Sequence, residues 1–129
     1  MFGDLEHRIY DSAKLVKLTR ADTEQIGVAY PQLPEDYFLF LEEVGSGDLG
    51  NLVVYSKPME PAEVYGRERA EHLDSIVLFG DDMQGFCFGF DLKDNGRVVE
   101  ISPAAEVDRT IDPFFANFLR EFLPESAES

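Results

Sequence analysis

Residues 76–92, which decide the fold, have the sequence IVLFGDDMQGFCFGFDL. Residues 76–79 form a continuous apolar run of strand length, which is typical of a central strand covered on both faces. Residues 86–92 alternate instead, as a strand with two different faces does. One face carries Phe86, Phe88, Phe90 and Leu92, and the other carries Cys87, Gly89 and Asp91. The stretch therefore predicts two sheet strands with an acidic turn between them.

A hairpin is predicted next, because Asn95-Gly96 is the dipeptide that type I′ turns prefer. A two-residue turn places Asp94 opposite Arg97, Leu92 opposite Val99 and Phe90 opposite Ile101. Asp91 then faces Glu100, and like charges so placed are mildly destabilising. Lys93 on the same face is one compensation for this repulsion, and a bound cation or a partner's cation is the other.

The clearest helix signal is Leu33-Pro34-Glu35-Asp36-Tyr37. Proline loses no hydrogen bond in the first helical turn, and acidic side chains there complement the helix dipole. Gly45 supplies the left-handed residue that commonly ends a helix, so residues 46–50 are predicted to form a loop.

Other elements are predicted from weaker patterns. We expect a leading helix within residues 1–18 from Phe2, Leu5, Ile9 and Ala13, although Leu15, Val16 and Leu18 fit a strand equally well. A short helix capped by Thr23 is predicted to run to Ala29. Residues 51–55 suggest a strand, the prolines in residues 57–61 oppose regular pairing, and residues 62–73 suggest a helix or helical turn. The last helix is predicted from Asp112 as cap, Pro113 at its first position and a stripe of Phe115, Phe118, Leu119 and Phe122.

The chain has 129 residues, a net charge of −15 and 11 phenylalanines. It is long enough for one hydrophobic core, so we expect a single α+β domain over residues 1–129: an antiparallel sheet packed against N-terminal helices and a C-terminal helix. The core spans about residues 20–123, and residues 124–129 form a flexible tail.

The acidic charge bears on partners and location. It repels phosphate backbones and anionic lipids and attracts basic proteins, although acidity also keeps a protein soluble. No apolar stretch is long enough to span a bilayer, the first residues lack the pattern of a signal peptide, and Cys87 is the lone cysteine. We therefore expect a cytoplasmic protein with a protein partner and with neither nucleic acid nor membrane as a ligand.

The sequence offers no recognisable catalytic set. His7 and His72 lie in charged segments far from any nucleophile elbow, and one cysteine with two scattered histidines gives no zinc ligand pair. The glycines of residues 45–50 follow a helix and include no lysine, so they do not form a phosphate loop. We expect no enzymatic activity, no cofactor and no metal.

The candidate partner-binding residues are Asp81, Asp82, Asp91, Glu100, Tyr55 and Tyr65. The two acids of the turn could face the lysines and arginines of a partner or a calcium ion, but they lack calcium-loop spacing, and aspartate is also what tight turns prefer. The tyrosines flank the proline-broken segment, where they serve either as interface anchors or as packing against the sheet. Cys87 is expected to be a small packed thiol.

These elements together resemble the SUKH superfamily, named for Syd, a herpesviral protein and the Smi/Knr cell-wall regulators. The resemblance covers roughly residues 20–123. Its matching positions are Leu33, Pro34, Tyr37, Gly80, Asp81 and Asp91. The chain departs from many members in having no tryptophan and in having Gln84-Gly85-Phe86 in the turn.

The resemblance implies an α+β domain without enzymatic activity. Bacterial members are regarded as immunity proteins that bind and neutralise toxin domains, often nucleases. We therefore expect an immunity protein with a basic toxin domain as its partner. An intracellular regulatory or scaffold protein of the Smi/Knr type is the alternative, and a carboxylate enzyme or calcium-dependent protein is a third hypothesis.

Overall fold

The computed structural model of the protein describes residues 2–9 and 11–124. Apart from Pro124, the predicted tail lies outside this range. The described part contains the helices α1 (Arg20–Ala29), α2 (Glu35–Glu43), α3 (Pro61–Tyr65) and α4 (Phe115–Phe122). Its strands are β1 (Gly47–Asp48), β2 (Val53–Met59), β3 (Ile76–Asp81), β4 (Cys87–Asp91), β5 (Arg97–Ile101) and β6 (Val107–Asp112).

The six described strands form one antiparallel sheet in the order β1-β2-β3-β4-β5-β6. The fold is α+β, as the sequence predicts. β3 lies inside the sheet, and its residues 76–80 are all buried, which confirms the central strand. No helix in the described residues is both long enough and apolar enough to cross a membrane.

The sheet has two different faces. The face that we call the helix face packs against α2 and α4, and the other we call the second face. Phe79, Phe88 and Phe90 lie in the main core on the helix face. A smaller buried cluster on the second face contains Leu73, Ile76, Leu78, Cys87, Val99, Ile101 and Ala105. The alternation predicted for residues 87–90 is therefore confirmed, because phenylalanines face one core and Cys87 faces the other.

α2 begins as predicted, with Pro34 as its N-cap residue and Glu35 and Asp36 in its first turn. Gly45 has a φ of 112°, a conformation that glycine adopts readily. Asp36 also joins α2 to α4, because its carboxylate accepts a hydrogen bond of 2.9 Å from the backbone N–H of Ala116.

The leading helix predicted within residues 1–18 is wrong. The segment forms two 3-10 helices, Gly3–Arg8 and Ser12–Lys14. Phe2, Leu5 and Ile9 are nevertheless buried in the main core, whereas Ala13 is exposed. Tertiary contacts hold the segment, because Arg8 donates hydrogen bonds to the carbonyl oxygens of Arg120, Leu123 and Pro124 at the end of α4.

The predicted cap of the next helix is also wrong. α1 is capped by Thr19, whose side chain accepts from Asp22 N–H while the Asp22 carboxylate accepts from Thr19 N–H. Thr23 lies inside the helix and is buried, where its hydroxyl donates to the Glu42 carboxylate at 3.0 Å. A reciprocal capping box satisfies two backbone donors, which favours Thr19 over Thr23. The predicted end at Ala29 is confirmed.

The structure changes the prediction for residues 46–61. Residues 47–48, expected in a loop, form β1, and β2 continues to Met59 instead of ending at Tyr55. Val54 pairs with Gly80 and Met59 pairs with Leu78, so the four residues 55–58 lie opposite Phe79 alone. The bulge accommodates Pro58, which has no N–H for a regular ladder. The segment predicted as helix or helical turn contains α3 and a 3-10 helix, Glu71–Leu73.

The hairpin between β4 and β5 has a different register from the predicted one. Phe90 pairs with Val98 and Asp91 pairs with Arg97. Residues 92–94 form a 3-10 turn, and Asn95 then adopts the left-handed conformation with φ 56°. The connection therefore has five residues, from Leu92 to Gly96, instead of two, and the pairing shifts by three residues. An odd shift moves every side chain of β5 to the opposite face from the one predicted.

The C-terminal region contains a strand that the sequence did not suggest, β6. Asp112, predicted as the cap of the last helix, accepts from Phe114 N–H at 2.9 Å. Pro113 does not begin the helix, because α4 starts at Phe115 after Phe114 as N-cap residue. The predicted stripe is confirmed in its buried members Phe115, Phe118 and Leu119, and Phe122 is half-buried against the rings of Phe88 and Phe118.

Candidate functional site

Three of the predicted residues come together on the second face. The Tyr55 hydroxyl donates a hydrogen bond of 2.7 Å to the Asp81 carboxylate. Asp81 pairs across the sheet with Cys87, and the Tyr65 hydroxyl approaches the same thiol. The β2 bulge brings Tyr55 to this position, and α3 brings Tyr65. We call Tyr55, Tyr65, Asp81 and Cys87 the tyrosine cluster.

The thiol in this cluster is not set up as a nucleophile. Cys87 is 5% exposed and free of any disulfide. Burial raises the pKa of the Cys87 thiol, and the nearby hydroxyls of Tyr65 and Tyr55 only partly oppose this rise. A thiol with a raised pKa carries little thiolate at neutral pH and reacts slowly.

Burial also raises the pKa of both tyrosines in the cluster. For Tyr55 the Asp81 carboxylate adds to the rise, because a hydroxyl that donates to an anion keeps its proton. For Tyr65 the Cys87 thiol adds to it. The Tyr65 hydroxyl is buried, and no described residue completes a hydrogen bond to it. Both hydroxyls are therefore protonated donors at neutral pH.

The acidic turn between β3 and β4 uses its carboxylates to hold its own backbone. Asp81 accepts from Met83 N–H at 2.8 Å, and Asp82 accepts from Gln84 N–H at 2.8 Å and Phe86 N–H at 3.1 Å. These contacts are those by which aspartate stabilises turns. Both bonds to Asp82 involve Oδ1, so among the described residues its Oδ2 has no hydrogen-bond donor and is available to a partner.

Met83 is a residue of this turn that the sequence pattern did not single out. It is 54% exposed and has a φ of 64°, which is unusual for a side chain of its size. A shallow cavity of about 420 Å³ lies beside it, lined by Gly50, Asn51, Asp82, Met83, Gln84 and Phe122. The signal that could have found it is a large apolar residue in the middle of a Gly-Asp-Asp-Met-Gln-Gly turn.

Asp48 extends the acidic region across the sheet. It pairs with Val53, which pairs with Asp81, so both acids lie in one row across β1, β2 and β3. Its carboxylate accepts from Gly50 N–H at 2.7 Å. We call Asp48, Asp81, Asp82 and Met83 the acidic tip. Within the described residues, none of its three carboxylates has an ion-pair partner.

Asp91 does not join this site. It lies at the other end of β4 from Cys87, about 13 Å away at the usual rise of a strand. Its carboxylate accepts from the Ser75 hydroxyl at 3.0 Å and from Lys93 N–H at 3.1 Å. Asp91 therefore begins the 3-10 turn of the hairpin and fixes the loop to the residue before β3.

The predicted pairing of Asp91 with Glu100 is wrong because of the register shift. Glu100 lies opposite Phe88 on the helix face, and Arg109 donates to its carboxylate at 3.1 Å. Burial raises the pKa of the Glu100 carboxyl, as does a hydrogen bond with Asp108, while Arg109 lowers it. Because Asp91 pairs with Arg97 instead, the expected repulsion does not arise and no cation between Asp91 and Glu100 is needed. The ion-pair partner of Glu100 is Arg109, from a strand that the sequence did not suggest.

Side chains that could serve as metal ligands are dispersed. Among residues 2–9 and 11–124, no group of three or more histidine, cysteine, aspartate or glutamate side chains is placed to hold a metal ion. His7 and His72 are both exposed. Neither histidine lies in the tyrosine cluster or the acidic tip.

Neither comparison with known proteins assigns the chain. No model of a known protein family matches the sequence, and no curated protein matches it. The candidate site is therefore defined by its geometry, as an acidic tip next to a tyrosine cluster.

Proposed function

We propose that the chain is a protein-binding module that takes a basic protein domain as its partner. The observation that carries this proposal is the acidic tip, in which three carboxylates without ion-pair partners among the described residues lie at the same end of the sheet as an exposed methionine. An exposed apolar side chain near charges of one sign resembles an interface with an apolar anchor and a polar rim.

The charge of the whole chain supports the same partner. A net charge of −15 attracts a basic protein over distances beyond contact and repels nucleic acids. Such attraction chiefly raises the association rate, and salt weakens it because the Debye length is about 8 Å at physiological ionic strength. Affinity that falls with added salt is therefore a direct expectation.

We further propose that the partner is a toxin domain and that binding neutralises it in the cytoplasm. The support for this finer proposal is the resemblance of residues 20–123 to the SUKH superfamily, whose bacterial members are regarded as immunity proteins. The lone, buried and unpaired Cys87 is compatible with a reducing compartment.

The proposal is tested by titrating the full chain with the toxin domain encoded beside its gene. We expect binding at about 20 mM salt that weakens at 300 mM, measured by calorimetry. The toxin's activity should fall in proportion to the fraction bound. Absence of binding at the lower salt concentration would contradict this partner and favour a housekeeping partner of the Smi/Knr kind.

The acidic tip is tested by changing Asp82. We expect Asp82→Lys to slow association about three- to tenfold at low salt, because it reverses a charge beside the anchor. Asp82→Asn keeps the acceptor oxygen that holds the turn and should slow association less. Asp94→Lys is the control, since it makes the same charge change at the opposite end of the strands; it also breaks the Asp94–Arg97 ion pair, so the stability of both lysine variants is measured as well. Equal rates for the two lysine variants would remove the acidic tip from the interface.

A further inference from the structure

α1 contributes little to the core. Of its ten residues only Thr23 is buried, and Val28 is 85% exposed, the highest value among the large hydrophobic residues of the described chain. By contrast, α4 buries Phe115, Ala116, Phe118 and Leu119. Ile26 packs against the main core but is only partly buried. Because tertiary packing of an apolar face is what stabilises most helices, the core holds α1 only weakly.

A cleft of about 590 Å³ lies between α1 and α2. Its apolar wall is formed by Val28, Phe38 and Leu39, and its acidic rim by Glu24, Glu35 and Glu42. Arg20 is the basic residue among its lining. We call this the α1–α2 cleft. Apolar side chains with carboxylates around them make it complementary to a partner surface with the opposite charge.

The charges of the rim are only partly neutralised. Arg20 lies 3.8 Å from the carboxylates of both Glu24 and Glu42. The Arg20–Glu24 pair is exposed and therefore weak. Glu42 is only 23% exposed, and its carboxylate also accepts from the Thr23 hydroxyl. Glu35 forms no ion pair with any described residue, although an acid in the first turn of α2 is favoured by the helix dipole. The cleft therefore keeps net negative charge that an incoming lysine or arginine can meet.

Gly27, the glycine of α1, leaves space in the cleft above the Phe38 ring. It lies inside α1, where glycine costs helix stability relative to alanine. A Cβ at this position would meet only the ring of Phe38, at 3.8 Å, which is ordinary contact. No contact within the described chain therefore requires a glycine here, whereas a ligand in the cleft would gain room above Phe38.

We propose that the α1–α2 cleft docks a basic amphipathic helix of the protein partner. The partner's apolar stripe would contact Val28, Phe38 and Leu39, and its flanking lysines or arginines would meet Glu24, Glu35 and Glu42. A helix fits because the cleft lies between two helices and offers side-chain ridges instead of a strand edge. The proposal rests on the proposed function in that it assumes a basic partner, and it adds a second contact surface to the acidic tip.

A second copy of this chain is a poorer occupant. Two chains of charge −15 repel one another, and the rim would place acid against acid. The groove on the other side of α1 is larger, at about 770 Å³, but Lys17 and Lys57 line it together with Asp22, Glu60 and Glu63. Its mixed charge selects no sign of partner.

The test uses a synthetic 18-residue peptide with leucines at helical spacing and lysines elsewhere, and a scrambled peptide of the same composition. Each is titrated into the ¹⁵N-labelled full chain at 150 mM salt, and amide shifts are followed by NMR. We expect saturable shifts confined to residues 20–43 with the helical peptide and weaker, scattered shifts with the scrambled one. Amide chemical-shift changes centred on residues 81–86, or changes of equal size and location with the two peptides, would overturn the proposal.

Val28→Asp separates docking from general attraction. The added charge strengthens any non-specific binding of a cationic peptide, whereas loss of the apolar contact should weaken docking about tenfold. Val107→Asp is the matched control, since Val107 is exposed on β6 and the change in charge is the same. Tighter binding by both variants would contradict the docking site.

The same variants distinguish this proposal from the proposed function. If the toxin domain binds and Val28→Asp leaves its affinity unchanged, the cleft is not part of the interface, although the chain remains a binding module. If the toxin domain does not bind at all, the proposed partner fails, whatever the peptide does.

Discussion

The two faces of the sheet differ in what they bury. On the helix face Phe79 packs edge-on against Phe115 at 5.1 Å between ring centroids and lies 4.7 Å from Phe90. On the second face the buried cluster is smaller, and it adjoins hydroxyl, thiol and carboxylate groups of the tyrosine cluster. We infer that packing on the helix face supplies most of the stability of the fold, which allows the second face to carry polar side chains.

The substitution that most strongly tests this difference between the two faces is Phe79→Ala. Phe79 is fully buried among five aromatic rings, so we expect the free energy of unfolding to fall by about 3–5 kcal/mol. Chemical denaturation followed by circular dichroism measures the loss. The control is Phe114→Ala, because Phe114 is 60% exposed and should change stability by less than about 0.5 kcal/mol. Similar losses in the two variants would contradict the assignment of the core.

Gly89→Ala tests how tightly the second face is packed. A Cβ on Gly89 would meet the Val77 carbonyl oxygen at 2.7 Å and Ile76 Cγ2 at 2.9 Å. We expect a loss of about 1–3 kcal/mol from overpacking. Gly3→Ala is the control, since a Cβ there meets nothing within 4 Å. An unchanged denaturation midpoint for Gly89→Ala would show that β3 and β4 can separate without cost.

Tyr55→Phe tests the polar part of the second face. The change removes the hydrogen bond to Asp81 and leaves the ring in place, so we expect a loss of about 1 kcal/mol. Tyr30→Phe is matched to it, because Tyr30 donates to Glu60 at 2.6 Å in an exposed position and should cost less. A larger loss for Tyr30→Phe would mean that the tyrosine cluster does not stabilise the fold.

The smallest expected effect is a pH dependence from Glu100 on the helix face. Its folded pKa lies above the ordinary value of 4.5, mainly because of burial. The folded state therefore holds this proton more tightly than the unfolded chain does. The resulting stability is present below the unfolded pKa and is lost as pH rises through the folded pKa. We expect the free energy of unfolding of the wild type, relative to that of Glu100→Gln, to decline as pH rises from 4 to 7. A difference that grows with pH would contradict the raised pKa of Glu100.

The sequence predicts the elements with strong local signals. The fully apolar run of β3, the alternation of β4 and the proline start of α2 each depend on residues close together in the chain, and each is confirmed. Interpretations that depended on counting across a turn were wrong. Val98 and Val99 are adjacent apolar residues, so either register of β5 puts a valine on the main core, and only the five-residue loop decides between them.

The candidate site was predictable in part for the same reason. Asp81 and Asp82 lie in the turn that the sequence predicts, and Tyr55 does reach Asp81. Asp91 and Glu100 were assigned to one face by the wrong register, and the true partner of Glu100, Arg109, lies on a strand with too few apolar residues to be recognised. The α1–α2 cleft gave no local signal, because it arises from the packing of two helices.

The hydrogen bonds from Arg8 to the end of α4 have a consequence for the growing polypeptide. Each strand of the sheet pairs with its neighbour in the chain and can do so soon after both are made. Residues 2–9 are synthesised before residues 120–124, which carry the carbonyl oxygens that Arg8 binds. At typical rates of synthesis the two segments are separated by roughly 6 to 23 seconds. Until then, Phe2, Leu5 and Ile9 lack part of the surface that finally covers them. These apolar side chains are exposed on the nascent chain and must be prevented from associating with other proteins.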